Sequence, residues 1–79
     1  MLTTKSDAKI TRTQAEVIVK LAKNNINAAA TAREMFMHRN TVDYHIRMVY
    51  RNTGKNPLNF YDLLSLLPMA EAYLEGGLS

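Results

Sequence analysis

The chain has 79 residues, 47% of them hydrophobic, which suits one small packed core and leaves no room for a cofactor domain beside a substrate domain. It has no cysteine, so a disulfide scaffold, a thiol nucleophile and a thiolate zinc site are excluded. Ten Lys and Arg against seven Asp and Glu give a formal charge of +3, which permits a polyanionic partner.

Residues 1–10 are polar, with Lys5 and Lys9 and no apolar run behind them; they read as a flexible segment and not as a signal peptide. No apolar stretch reaches the roughly 18 residues that a membrane-spanning helix needs. The expectation is a cytoplasmic protein without membrane contact. The rest predicts an all-α domain over residues 11–75 with a short tail at 76–79. Thr11-Arg-Thr-Gln14 and Thr13-Gln-Ala-Glu16 both fit a capping box, so a first helix begins near 12 or 14 and runs to 24, with Ala15, Ile18, Leu21 and Ala22 as its buried stripe. Asn27 is the N-cap of an alanine-rich second helix over 28–36. A third helix covers 39–52, with Val42, Ile46 and Val49 inward and Gly54 as its stop. After the turn Lys55-Asn-Pro57, Asn59 caps a fourth helix over 60–74, ended by Gly76-Gly77. Pro68 lies inside that helix and predicts a kink or break near 64–68.

Charge is divided along the chain. Residues 1–23 carry a net +3, residues 38–55 another +3, and residues 56–79 a net −3 from Asp62, Glu71 and Glu75. A face that meets phosphate belongs to the first two-thirds, and the acidic end suits a protein contact.

Residues 28–47 fit a helix-turn-helix. Ala32 sits where the two helices cross, and Met35, Met37 and Val42 lock the second against the first. The third helix then presents Asn40, Asp43, Tyr44, Arg47 and Arg51 on one face. A helix of this kind fits the major groove of B-DNA with its N-terminal residues at the base edges, where Arg pairs with guanine and Asn with adenine. Phe36 occupies a position where such turns commonly hold glycine, which implies a different turn geometry or strain.

The run Ala32-Arg-Glu-Met-Phe-Met-His-Arg-Asn-Thr-Val-Asp-Tyr-His-Ile46 resembles the C-terminal DNA-binding domain of PucR-type regulators, the purine-catabolism and sugar-diacid family; His38-Arg-Asn-Thr41, an aliphatic residue and Tyr44 are its most specific part. Asn52-Thr-Gly54 and Asn59-Phe-Tyr-Asp-Leu63 look like the same family's downstream segment. Thr13 to Lys23, with Thr41-Val42, His45-Ile46, Tyr50 and Gly54, is also similar to the four-helix LuxR-type domain. Both resemblances imply a bacterial transcription regulator, cover about Thr11 to Ala72, and make Arg39 to Arg51 the recognition helix. Two positions depart from the PucR pattern: His45 stands where Arg is usual, and Asp43 where a basic or polar residue is often found. Both lower the positive charge of the reading helix, so sequence preference does not carry over. Full-length members have long sensory regions in front; about ten residues stand there in this chain, so no effector pocket is expected.

The candidate DNA-binding residues are therefore His38, Arg39, Asn40, Thr41, Asp43, Tyr44, Arg47 and Arg51. For Asn40 and Thr41 the plainer reading is helix capping, for His38 an N-cap, and for Tyr44 and Arg47 a solvated face. Lys20, Lys23 and Arg33 fit either backbone contacts or solvation, and Tyr50 is expected to pack on the first or fourth helix. His38, Asp43 and His45 do not converge on one face, so no metal site or cofactor is expected. In the fourth helix Phe60, Leu63, Leu64, Leu67 and Leu74 are assigned to the core. Leu66, Met69 and Tyr73 form a second stripe, which predicts a homodimer through residues 60–74. No nucleophile–base pair, paired carboxylates or phosphate-cradling glycine loop is present, so an enzyme is not expected. The expectation is sequence-specific binding of double-stranded DNA by a stand-alone module. The alternative is a protein-interaction adaptor or anti-regulator that kept the fold without DNA.

Overall fold

Thr11 and Gln14 start the first helix by satisfying each other. Thr11 Oγ1 accepts the Gln14 N–H at 3.1 Å, and Gln14 Oε1 accepts the Thr11 N–H at 3.0 Å. Of the two possible boxes this one forms, at the head of α1 (Arg12–Lys23), and a cap of this type stabilises a helix by about 1 kcal/mol. The computed structural model describes residues 10–75, and among these it contains α2 (Ala28–Glu34), α3 (Arg39–Thr53) and α4 (Phe60–Glu75) and no strand. The glycine stop at 76–77, the tail and residues 1–9 of the expected flexible segment lie outside the described residues. Ile10, assigned to that segment, is a core residue, only 2% exposed.

α1 packs against all three other helices, whereas α2 and α3 pack on each other and α4 packs on α1. Its buried set therefore exceeds the single predicted stripe: Val17 is inside along with Ala15, Ile18 and Leu21. At its end the Ile26 N–H returns to the Leu21 carbonyl at 2.7 Å, with Asn25 and Ile26 both in the left-handed region. Asn tolerates that conformation; Ile does not, and its half-buried contact with the core offsets the strain.

Asn27 caps α2 by accepting the Ala30 N–H at 2.9 Å, and the buried Thr31 hydroxyl donates to the Asn27 carbonyl at 2.9 Å. α2 is tied to α1 at the surface: Lys20 Nζ lies 2.9 Å from Glu34 Oε2, and the Asn24 amide donates to Glu34 Oε1 at 2.9 Å. The Asn24 hydrogen bond, followed by that of Lys20, holds the Glu34 carboxyl below the ordinary carboxylate range. Lys20 is thus engaged within the protein.

Between α3 and α4, Asp62 Oδ2 accepts the Asn56 N–H at 3.0 Å, Asn59 Oδ1 accepts the Asp62 N–H at 3.0 Å, and Pro57 is fully buried. α4 then runs without a break through Pro68. Proline removes the N–H that would bond the Leu64 carbonyl, and Leu64 is exposed, so water can take that role. The helix is also rotated from the expected setting. Leu63, Leu66 and Ala70 face the core, flanked by half-buried Leu67, Met69, Tyr73 and Leu74, while Phe60 and Leu64 stand in solvent. Leu66 is 1% exposed within its own chain and is not on an outer stripe. Burying a leucine to this extent contributes about 1.5–3 kcal/mol.

Candidate nucleic-acid interface

α3 divides cleanly between an inner and an outer face. At about 100° per residue, Asn40, Asp43, Tyr44, Arg47 and Arg51 fall within a sector of about 100°, with Val42, Ile46 and Val49 on the other side. The three aliphatic residues are buried against α1 and α2. His38, Arg39, Asn40, Thr41, Tyr44, Arg47 and Arg51 are exposed, and Asp43 is half-buried. The eight candidate residues lie together from the N-cap of α3 to its last turn, and among the described residues no other helix packs on their outer face.

His38 is the N-cap, its Nδ1 accepting the Asn40 N–H at 3.1 Å. The ring proton then belongs on Nε2, which leaves a donor at the head of the helix. Arg39 Nε lies 3.5 Å from Asp43 Oδ1 one turn on, a surface pair that partly neutralises the guanidinium. Thr41 is not the cap. Asn40 contributes only its backbone N–H to the cap, so its side chain is unspent there. His45 sits edge-on to Tyr44, ring centroids 5.4 Å apart, with its Nδ1 buried and lacking a hydrogen-bond partner in the protein. Among the described residues no group of three or more metal-ligating side chains comes together, and no helix is long and apolar enough to cross a membrane.

The turn before α3 places Phe36 at a strained backbone position. α2 ends two residues earlier than expected, at Glu34. The Phe36 N–H donates to the Arg33 carbonyl at 3.2 Å and the Met37 N–H to the Ala32 carbonyl at 2.9 Å. These two bonds make a Schellman closure, with Phe36 at its left-handed position, φ +56°. Half-buried Met35 and Met37 pack on the core beside buried Ala32 and Val42, which fixes α3 across α2. Tyr50, expected to pack on a neighbouring helix, is instead 55% exposed, because α4 docks on α1 and not on α3.

Compared with known protein families, the chain matches over residues 15–72 the one described as the PucR C-terminal helix-turn-helix domain. No curated protein and no solved structure matches it.

Proposed function

Because the chain belongs to the PucR C-terminal helix-turn-helix family, we propose that it binds double-stranded DNA sequence-specifically, as the DNA-reading part of a bacterial or phage transcription regulator. The observation that carries this reading is the outer face of α3, which presents exposed Asn40, Tyr44, Arg47 and Arg51 and is held outward by Val42, Ile46 and Val49. Laid in a major groove, α3 brings Arg39 and Asn40 to base edges in its first turn. His38 and Thr41 reach phosphate beside them, and Tyr44, Arg47 and Arg51 continue the contact along the groove. Asp43 repels phosphate and is suited to accept from a cytosine amino group.

The proposal includes pairing of two copies through α4, which would set two α3 helices roughly 34 Å apart, one turn of DNA. With Leu66 in the core, half-buried Met69 and Tyr73 remain of the expected stripe, and Phe60, Tyr61 and Leu64 are the exposed apolar side chains on α4. The adaptor reading has one surface in its favour: an apolar groove of about 390 Å³ between the α1–α2 turn and α4, lined by Ala22, Ile26, Phe60, Leu63, Leu64 and Leu67.

A salt titration of duplex binding separates the two readings. Neutralising about five phosphates gives a log–log slope of about −4.5. Absence of binding at low salt favours the adaptor.

A further inference from the structure

Phe36 is 96% exposed and adopts φ +56°. The fold uses the left-handed backbone at this position, but it gains nothing from a phenyl ring there. The Schellman closure of α2 requires a left-handed residue at that position, which glycine supplies without steric cost and asparagine at little cost. The matching position at the end of α1 is Asn25. Ile26, the other strained hydrophobic residue, recovers its strain through contact with the core. The ring of Phe36 recovers nothing, since it stands almost wholly in water. A strained backbone carrying an exposed aromatic ring is the sort of outlier from which function can be inferred.

Its position supplies the function. Phe36 lies two residues before His38, so its Cα is within about 7.6 Å of that cap. When a recognition helix meets bases with its N-terminal residues, the turn that leads into it lies at the rim of the same groove. The apolar atoms there are the 5-methyl group of thymine and the carbons of deoxyribose, and phenylalanine is suited to contact with a thymine methyl.

We propose that Phe36 is an apolar DNA contact whose ring packs on a thymine methyl or a deoxyribose at the edge of the site covered by α3. This rests on the DNA-binding reading above and adds to it a residue outside the polar face. The ring is uncharged, so its contact releases no counterion and leaves the salt dependence of binding untouched.

The test uses the full chain and a duplex selected from a random pool. Affinity is measured across a salt series for the wild type, Phe36→Gly and Phe36→Asn, on that duplex and on one with deoxyuridine in place of thymine. Glycine and asparagine both accept the left-handed turn, so the melting temperature should hold or rise and misfolding cannot mimic the result. The expected result is binding weaker by about tenfold in both variants at an unchanged salt slope. If the contact is a thymine methyl, deoxyuridine weakens the wild type and leaves Phe36→Gly unaffected. If it is a sugar, deoxyuridine changes neither protein and the loss in the variants remains. Variants that bind as tightly as the wild type overturn the inference while leaving DNA binding intact. So does a loss accompanied by a shallower slope, because the basic residues of α3 would then have moved. A wild type that binds no duplex overturns the DNA-binding reading itself.

Discussion

Asp43 is the one acidic residue on the outer face of α3, the face proposed to meet DNA. It pairs with Arg39 at 3.5 Å on the surface, where such pairs are worth about 0–1 kcal/mol, so the fold depends on it very little. Its effect is expected on the proposed DNA partner instead. On the DNA-binding proposal, it partly neutralises the Arg39 guanidinium and repels the DNA backbone. Asp43→Asn should therefore raise affinity for a random duplex by roughly 3–10-fold at about 0.1 M salt and leave the urea midpoint almost unchanged. Fluorescence anisotropy on a random duplex reads the first quantity, and unchanged or weaker binding would contradict the role given to Asp43. Other residue-level features were legible from pattern alone. Asn27 and Gly54 stand where a cap and a left-handed stop are required, and the structure places them in those roles. His38 was open between cap and phosphate contact, because imidazole does either and only the 3.1 Å bond to the Asn40 N–H shows the capping role. The orphaned Nδ1 of His45 had no sequence signal, since it depends on which side of the ring the packing covers.

α3 and α4 show why one helix face could be read from sequence and the other could not. In α3 the aliphatic residues are few and sit at 42, 46 and 49, so a single orientation buries them and exposes the rest. α4 has apolar side chains almost all round, at 60, 63, 64, 66, 67, 69, 73 and 74, so periodicity selects no face. The selection comes from the shape of α1, which takes Leu63, Leu66 and Ala70 and leaves Phe60 and Leu64 outside. Leu66→Ala is the direct probe. It should destabilise the protein by about 2–5 kcal/mol in urea denaturation through the cavity it opens. A stable variant whose only change is a lower oligomeric mass would return Leu66 to the outer stripe. Of the kink or break that Pro68 predicts, the break is absent: α4 continues through the proline, and the residue whose carbonyl loses its bond, Leu64, is exposed.

At the scale of the whole molecule, α1 is the hub, and α3 and α4 do not pack on each other. α3 is held by α1 and α2, α4 by α1, and the basic 38–55 segment is separated from the acidic stretch that carries α4. That division was visible in the charge pattern before any geometry, because charge clusters by segment when segments become separate faces. The strain at Phe36 was legible from its place in the turn, where glycine is usual; the 96% exposure of its ring was not, because it is settled only once α2 is closed. The central proposal is that α3 is the face that meets the duplex. The most direct test is amide chemical-shift mapping of the labelled chain titrated with a duplex selected from a random pool. The perturbations should concentrate on residues 36–51 and spare 60–75. Shifts centred on α4 and the groove beside Phe60, or none at low salt, would contradict it.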